Sequence, residues 1–179
     1  MPIRVVPYDP RWPDQFTLIR GALTDALRDI PFLAIEHVGS TSVPGLPAKP
    51  VIDVDVVVLR EHLVPAIEAL VVAGYRHEGD LGIPDRHAMQ APDSAPERNV
   101  YVAVDGSLAL RNHRAVRDVL RSDAALADEY GRLKLDLARR HAENMGAYVA
   151  AKTELLGSIL ARGGLSDQER AEIAAANRA

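Results

Sequence analysis

The chain has 179 residues, 47% of them hydrophobic and 26% charged, with a formal net charge of −4; this is the make-up of one soluble globular domain whose core buries roughly 70% of the unfolded surface. The negative balance argues against a general nucleic-acid binder, which needs a basic surface, and the absence of cysteine excludes disulfides, thiolate metal sites and a cysteine nucleophile. No apolar run approaches the ~20 residues that span a bilayer, and the opening MPIRVVPYDPRW lacks a signal-peptide core, so a cytoplasmic protein without a membrane partner is expected.

In chain order, Met1 to Pro13 joins a short apolar run to Pro7, Pro10 and Pro13 and reads as an extended lead-in packed through Tyr8 and Trp12. From Asp14, the residues Phe16, Ile19, Leu23, Ala26 and Leu27 recur at helical spacing until Pro31 stops the helix. Phe32 to Val38 and Val51 to Val58 read as strands, and Pro44, Pro47 and Pro50 forbid a long helix between them. Asp53 and Asp55 alternate with Ile52, Val54 and Val56, so both carboxylates point to one face and the apolar side chains to the other. Gly39 and Ser40 end the preceding apolar run in a small-residue loop, where backbone N–H groups can approach phosphate oxygens. Two carboxylates on one face suit a hard cation, Mg²⁺ or in its place Mn²⁺, shared with substrate phosphates.

Leu63 to Val72 is a second helix ending at Gly74, and Tyr75 to Asp80 a third strand. Gly82 to Arg98 has no period and reads as a long surface loop. Asn99 to Val104 places Val100, Val102 and Val104 on one face, a fourth strand ending at the turn Asp105-Gly106-Ser107. Leu108 to Arg121 gathers Arg111, Arg114, Arg117 and Arg121 within about 120° of a helical wheel, a face that is either solvated or turned to phosphate. Ser122 or Asp123 caps a further helix with the stripe Leu126, Tyr130, Leu133 and Leu137. Asn144 to Ala161 is the next helix. Ser166 and Glu169 have capping-box spacing before a last, Ala-rich helix, expected to dock loosely or to serve self-association into a homo-oligomer.

The stretch HVGSTSVPGLPAKPVIDVDVVV resembles the GrpB family, a group within the nucleotidyltransferase superfamily; PYDPRWPDQF, GYRHEG, GIPDR, VRDVLR, EYGRLKLDLA and YVAAK extend the resemblance from Tyr8 to about Leu160. Its core is Val38, Gly39 and Ser40, a gap of twelve residues, then Asp53 to Val56. The resemblance implies an α/β (α+β) fold, a nucleotidyltransferase-like small mixed sheet flanked by helices. A helical C-terminal half belongs to it, with residues 1–162 as the domain and 163–179 as a tail. It implies transfer of a nucleoside monophosphate from an NTP to a small-molecule acceptor, with Asp53 and Asp55 holding Mg²⁺. Gly39, Ser40, Thr41 and Ser42 grip the triphosphate, and Lys49, Arg86, Arg114 and Arg117 balance its charge.

The departures from the family pattern bear on catalysis. Where relatives carry His-x-His on the later strand, this chain has Asn99 and Tyr101. Asp105 shares their face by alternation and is the candidate third catalytic carboxylate, or else a turn-former before Gly106. His37 reads as a hydrogen-bonded structural histidine, and Tyr148 with Lys152 as an exposed pair one helical turn apart. The other histidines, His113 among them, lack metal-ligand spacing. Two alternatives to a transferase follow: a nucleotide-binding module without catalysis, and an interaction protein that works through its helical half.

Overall fold

The alternation around Asp53 and Asp55 sets the architecture, because it divides one strand between an apolar layer and a polar site. In the computed structural model, which describes residues 4–141 and 143–176, that strand lies inside a sheet covered on both faces. The chain runs α1 (Trp12–Ala26), β1 (Ala34–Val38), a 3₁₀ turn (Ser40–Ser42), β2 (Ile52–Val58), α2 (Leu63–Val72), β3 (Arg76–Gly79), β4 (Arg86–Gln90) and β5 (Arg98–Val104). Helices follow: α3 (Leu108–Ser122), α4 (Ala124–Arg140), α5 (Met145–Ala151), α6 (Thr153–Arg162) and α7 (Asp167–Ala176). The fold is mixed α/β.

The strand order is β1-β2-β5-β4-β3, with β2 and β5 parallel and the other pairs antiparallel. On one face Val54, Val56, Val100 and Val102 meet Leu23 of α1 and Leu70 of α2 in the main core. Trp12 is buried at the start of α1, with Tyr8 edge-on to it at 5.2 Å. The other face carries Glu36, Asp53, Asp55, Asn99 and Tyr101, because Asp53 is level with Asn99 and Asp55 with both Tyr101 and Glu36. Over that face lies α3, anchored by Leu110 on Val57 and Ala103. Helix caps follow their residues: Asp123 accepts from the Leu126 N–H at 3.0 Å, and Ser166 and Glu169 cap each other reciprocally.

Three expectations need correction. Gly82 to Arg98 is not one loop, because it contains β4, paired to both β3 and β5. Only Ala88 and Met89 of its five residues are buried, too few to show a period, and Leu81, Gly82 and Asp85 turn the chain through positive φ just before it. The helix expected over Asn144 to Ala161 is two, α5 and α6, with Lys152 at the junction. The last helix docks on α3: Ile173 packs with Ala115, Leu160 and Leu165, and Glu169 pairs with Arg111. Among the described residues no helix is long and apolar enough to cross a membrane.

Leu23 has no exposed surface and packs where α1 meets the sheet. Leu23→Ala should therefore cost about 2–5 kcal/mol, read as a lower urea midpoint with an unchanged slope.

Candidate active site

The site begins with a backbone constraint. Gly39 adopts φ 69°, ψ −174° as the chain leaves β1, and a Cβ there would collide with the carboxylate of Asp53. The loop thus lies directly over the strand. Asp53 also accepts from the Asn99 amide at 2.8 Å. Burial under the loop pushes its carboxyl up from the ordinary value, against the pull of Asn99, His113 and Lys49. Ser40 and Thr41 line a cleft beside Asp53, and the hydroxyls of Thr41 and Ser42 bond within and next to the loop. Thr41 bonds His37 at 2.9 Å and the Val51 carbonyl at 3.3 Å, and Ser42 donates to the Gly39 carbonyl at 2.6 Å.

The cleft, with a volume of about 80 Å³, brings three amines to a single carboxylate: Lys49, Lys134 and Lys152 line it with Ser40, Asn99 and Asp53. Lys134 is 3% exposed and its Nζ has no hydrogen-bond partner; it lies 4.9 Å from the centre of the Tyr130 ring. Burial pushes its amine down to about 7, with Lys152 adding repulsion and Asp53 opposing it. Lys152 is held 4.4 Å from the centre of the Tyr148 ring, and burial pushes it down to about 8. Tyr148 is 1% exposed. The reading of Tyr148 and Lys152 as an exposed pair is therefore overturned: helix docking buries Tyr148 and half-buries Lys152 against it. Unpaired amines packed into one cleft form a receptor for a multiply charged anion.

Asp55 lies one pleat further along β2 and is fully buried. His113 of α3 places Nδ1 at 2.8 Å from Asp55 Oδ2, while Asp55 Oδ1 is buried without a partner. Desolvation opposes the charging of His113, yet contact with Asp55, and Asp53 beyond it, raises its pKa above the ordinary value. Its ring lies 5.9 Å from Tyr101, whose other neighbour is Arg86, with the guanidinium 4.4 Å from the centre of the Tyr101 ring. His113 thus brings an imidazole onto the aspartate face from the helix above.

The arginine face is paired to the protein rather than free, and none of its four arginines lines the cleft. Arg114 and Arg117 both donate to Glu36, at 2.6 and 2.7 Å, and Arg121 donates to the Ser42 carbonyl at 2.7 Å. Together they clamp α3 to β1 and to the loop, and they hold Glu36 below the ordinary carboxylate range despite its burial. Asp105 lies four residues beyond Tyr101, roughly 13 Å along the strand. It is 44% exposed and 3.6 Å from Arg114, and its N–H is tied to the Val58 carbonyl. It does not join Asp53 and Asp55; Asn99 and Tyr101 occupy the neighbouring positions. His37 packs on the apolar side, stacked on Phe16 at 4.8 Å.

The donor set fits a divalent cation in one form. Among the described residues no three or more His, Asp or Glu converge as a metal cage. Asp53 and the unpartnered Asp55 Oδ1 supply two carboxylates, so Mg²⁺ would be completed by phosphate oxygens and water. Sequence reasoning missed Lys134, His113 and Glu36 as site residues. The first had a signal: Lys134 falls four residues after Tyr130 and three before Leu137, within the apolar stripe of α4.

Comparison with known proteins follows from this geometry. A family model described as GrpB protein matches residues 2–162. The UPF0157 protein YqkA of Bacillus subtilis is 30% identical over 85% of this chain, which spans 44% of that relative's length. The crystal structure of conserved protein GrpB from Enterococcus faecalis superposes with a TM-score of 0.78 at 31% identity, covering 89% of this chain and 96% of that one. The Cid1 poly(U) polymerase bound to MgATP shares the fold, with a TM-score of 0.58 at 14% identity over 83% of this chain and 50% of that chain.

The lowered lysines make a signed pH prediction for the ligand-free protein. Between about pH 7 and the ordinary lysine value the unfolded chain binds more protons than the folded one, so the cost of burying Lys134 is full below that window and fades as pH rises through it. Lys134→Met should therefore stabilise the protein by about 1–3 kcal/mol near neutral pH, with a smaller gain in alkaline urea titrations.

Proposed function

The chain belongs to the GrpB family and has a nucleotidyltransferase-like fold, and on that premise we propose that it transfers a nucleoside monophosphate from an NTP to a small-molecule acceptor in the cytoplasm. The observation that carries the reading is the lysine cleft beside Asp53: Lys134 is buried with its amine unpartnered among the described residues, and half-buried Lys152 lines the same cleft with Ser40. The Gly39 loop brings the phosphates to the carboxylates. Mg²⁺ held by Asp53 and Asp55 would supply electrostatic stabilisation of the phosphoryl charge, and the MgATP bound by the Cid1 polymerase supports that choice of metal.

In the transfer, a bond forms between the acceptor oxygen and the α-phosphorus, and the bond from that phosphorus to pyrophosphate breaks. The hydroxyl proton passes to solvent water, because Asp55 Oδ2 is taken by His113 and its unpartnered Oδ1 is kept for the metal. Lys134, Lys152 and Lys49 neutralise the departing pyrophosphate. Asp105, Arg114 and Arg117 take no part in this chemistry, being engaged with one another and with Glu36. A second reading, a nucleotide-binding module without turnover, is favoured by one observation: Asn99, not a third carboxylate, hydrogen-bonds Asp53.

Saturating Mg²⁺ and NTP should raise the melting temperature by about 5–10 °C, the shift expected from ~2.7 kcal/mol at a hundredfold excess over Kd. Asp53→Asn and Lys134→Met should remove most of it. Failure of every common NTP to shift the wild type would sink the proposal. Labelled product formed from NTP and a metabolite extract, and lost in Asp55→Asn, selects transfer over binding alone.

A further inference from the structure

A second cavity lies toward the other end of the paired strands. Its volume is about 630 Å³, within the range of small-molecule sites, and it shares no lining residue with the lysine cleft. The turn before β4 gives it Ile83 and Arg86, α3 gives Leu108 and His113, and α7 gives Ile173. His113 connects the cavity to the chemistry, since its ring lines the wall while Nδ1 rests on Asp55. His113 thus stands between this cavity and Asp55, on the side away from the lysine cleft.

The lining has a definite chemical bias. Ile83, Leu108 and Ile173 are apolar, Asp85 is already paired with Arg60 at 2.7 Å, and the second acid, Glu172, accepts from the Gln168 amide at 3.1 Å. Arg86 differs: among the described residues its guanidinium has no hydrogen-bond or ion-pair partner, and Nε is buried and unsatisfied. Tyr101 fixes it in place from one side. A rigid, unpaired guanidinium beside an apolar wall recognises a single carboxylate or phosphate on an apolar body. The α7 wall lies outside residues 2–162, the part matched by the family model.

We propose that this cavity is the acceptor site, taking a small molecule with an apolar body and one acidic group that Arg86 holds and α7 encloses. The proposal rests on the nucleotidyltransferase reading for its role and on the cavity itself for its ligand chemistry. The test is calorimetry on the full chain with 1-naphthoate, 1-naphthyl phosphate and the neutral control 1-naphthalenemethanol. An acidic probe should bind roughly tenfold or more tighter than the neutral one, and the two acidic arms tell carboxylate from phosphate. Arg86→Gln should erase the preference with the neutral probe still bound, and Ile173→Trp should block all three probes while keeping the thermal shift with Mg²⁺ and ATP. Equal binding of charged and neutral probes, or indifference to both variants, overturns the acidic-ligand assignment. Probe binding as expected in a protein that no NTP stabilises removes the acceptor role and the nucleotidyltransferase reading together, whereas a normal ATP shift without probe binding removes the acceptor role alone.

Discussion

One close approach governs the site: the backbone of Gly39 crosses the carboxylate of Asp53 with no room for a side chain between them. The loop after β1 and the strand β2 are therefore a single object, and any group held by the loop is delivered to the aspartates. The 3₁₀ turn, the Thr41 and Ser42 hydroxyls and the Arg121 contact to the Ser42 carbonyl all stiffen that crossing. Tightness on the opposite side comes from α4, where Gly131 lies so close to Pro47 that a Cβ would touch its ring. The loop is gripped from below and above.

The molecule treats its two kinds of cation differently. The arginines of α3 are committed to Glu36 and to loop carbonyls, where bidentate geometry returns what desolvation takes and orients the helix. Lys134 and Lys152 of the cleft are packed against tyrosine rings and, among the described residues, have no ion-pair partner, a costly arrangement for the buried Lys134 in the ligand-free protein. Arg86 is treated in the same way on the far side of Tyr101. Charge with a partner marks where this structure braces itself, and the unpartnered Lys134 and Arg86 are the features on which both binding proposals rest.

Legibility from the sequence followed the strength of the local signals. The Asp53 and Asp55 alternation predicts both faces of β2, and the apolar periods predict α1, α2, α3 and α4 within a few residues, because those signals repeat along one element. The β4 strand has no such repetition and is held by its two neighbours in the sheet. The arginines were visible as a face but not as a clamp, since their partner Glu36 is almost eighty residues away. Asp105 satisfied strand parity yet sits at the wrong end of the sheet, because alternation carries no information about distance along the strand.

Lys152 at the junction of α5 and α6 carries a temporal consequence. The loop, Lys49 and both aspartates are complete within the first third of the chain, but Lys134 and Lys152 are supplied by α4 and by this junction. During synthesis the cleft does not close until Lys152 has left the ribosome and the helical half has packed over the sheet. Completion of the cleft is in that sense a report of completed folding: a chain that has built its sheet alone has one loop lysine beside its two carboxylates and neither of the amines borne by the helices.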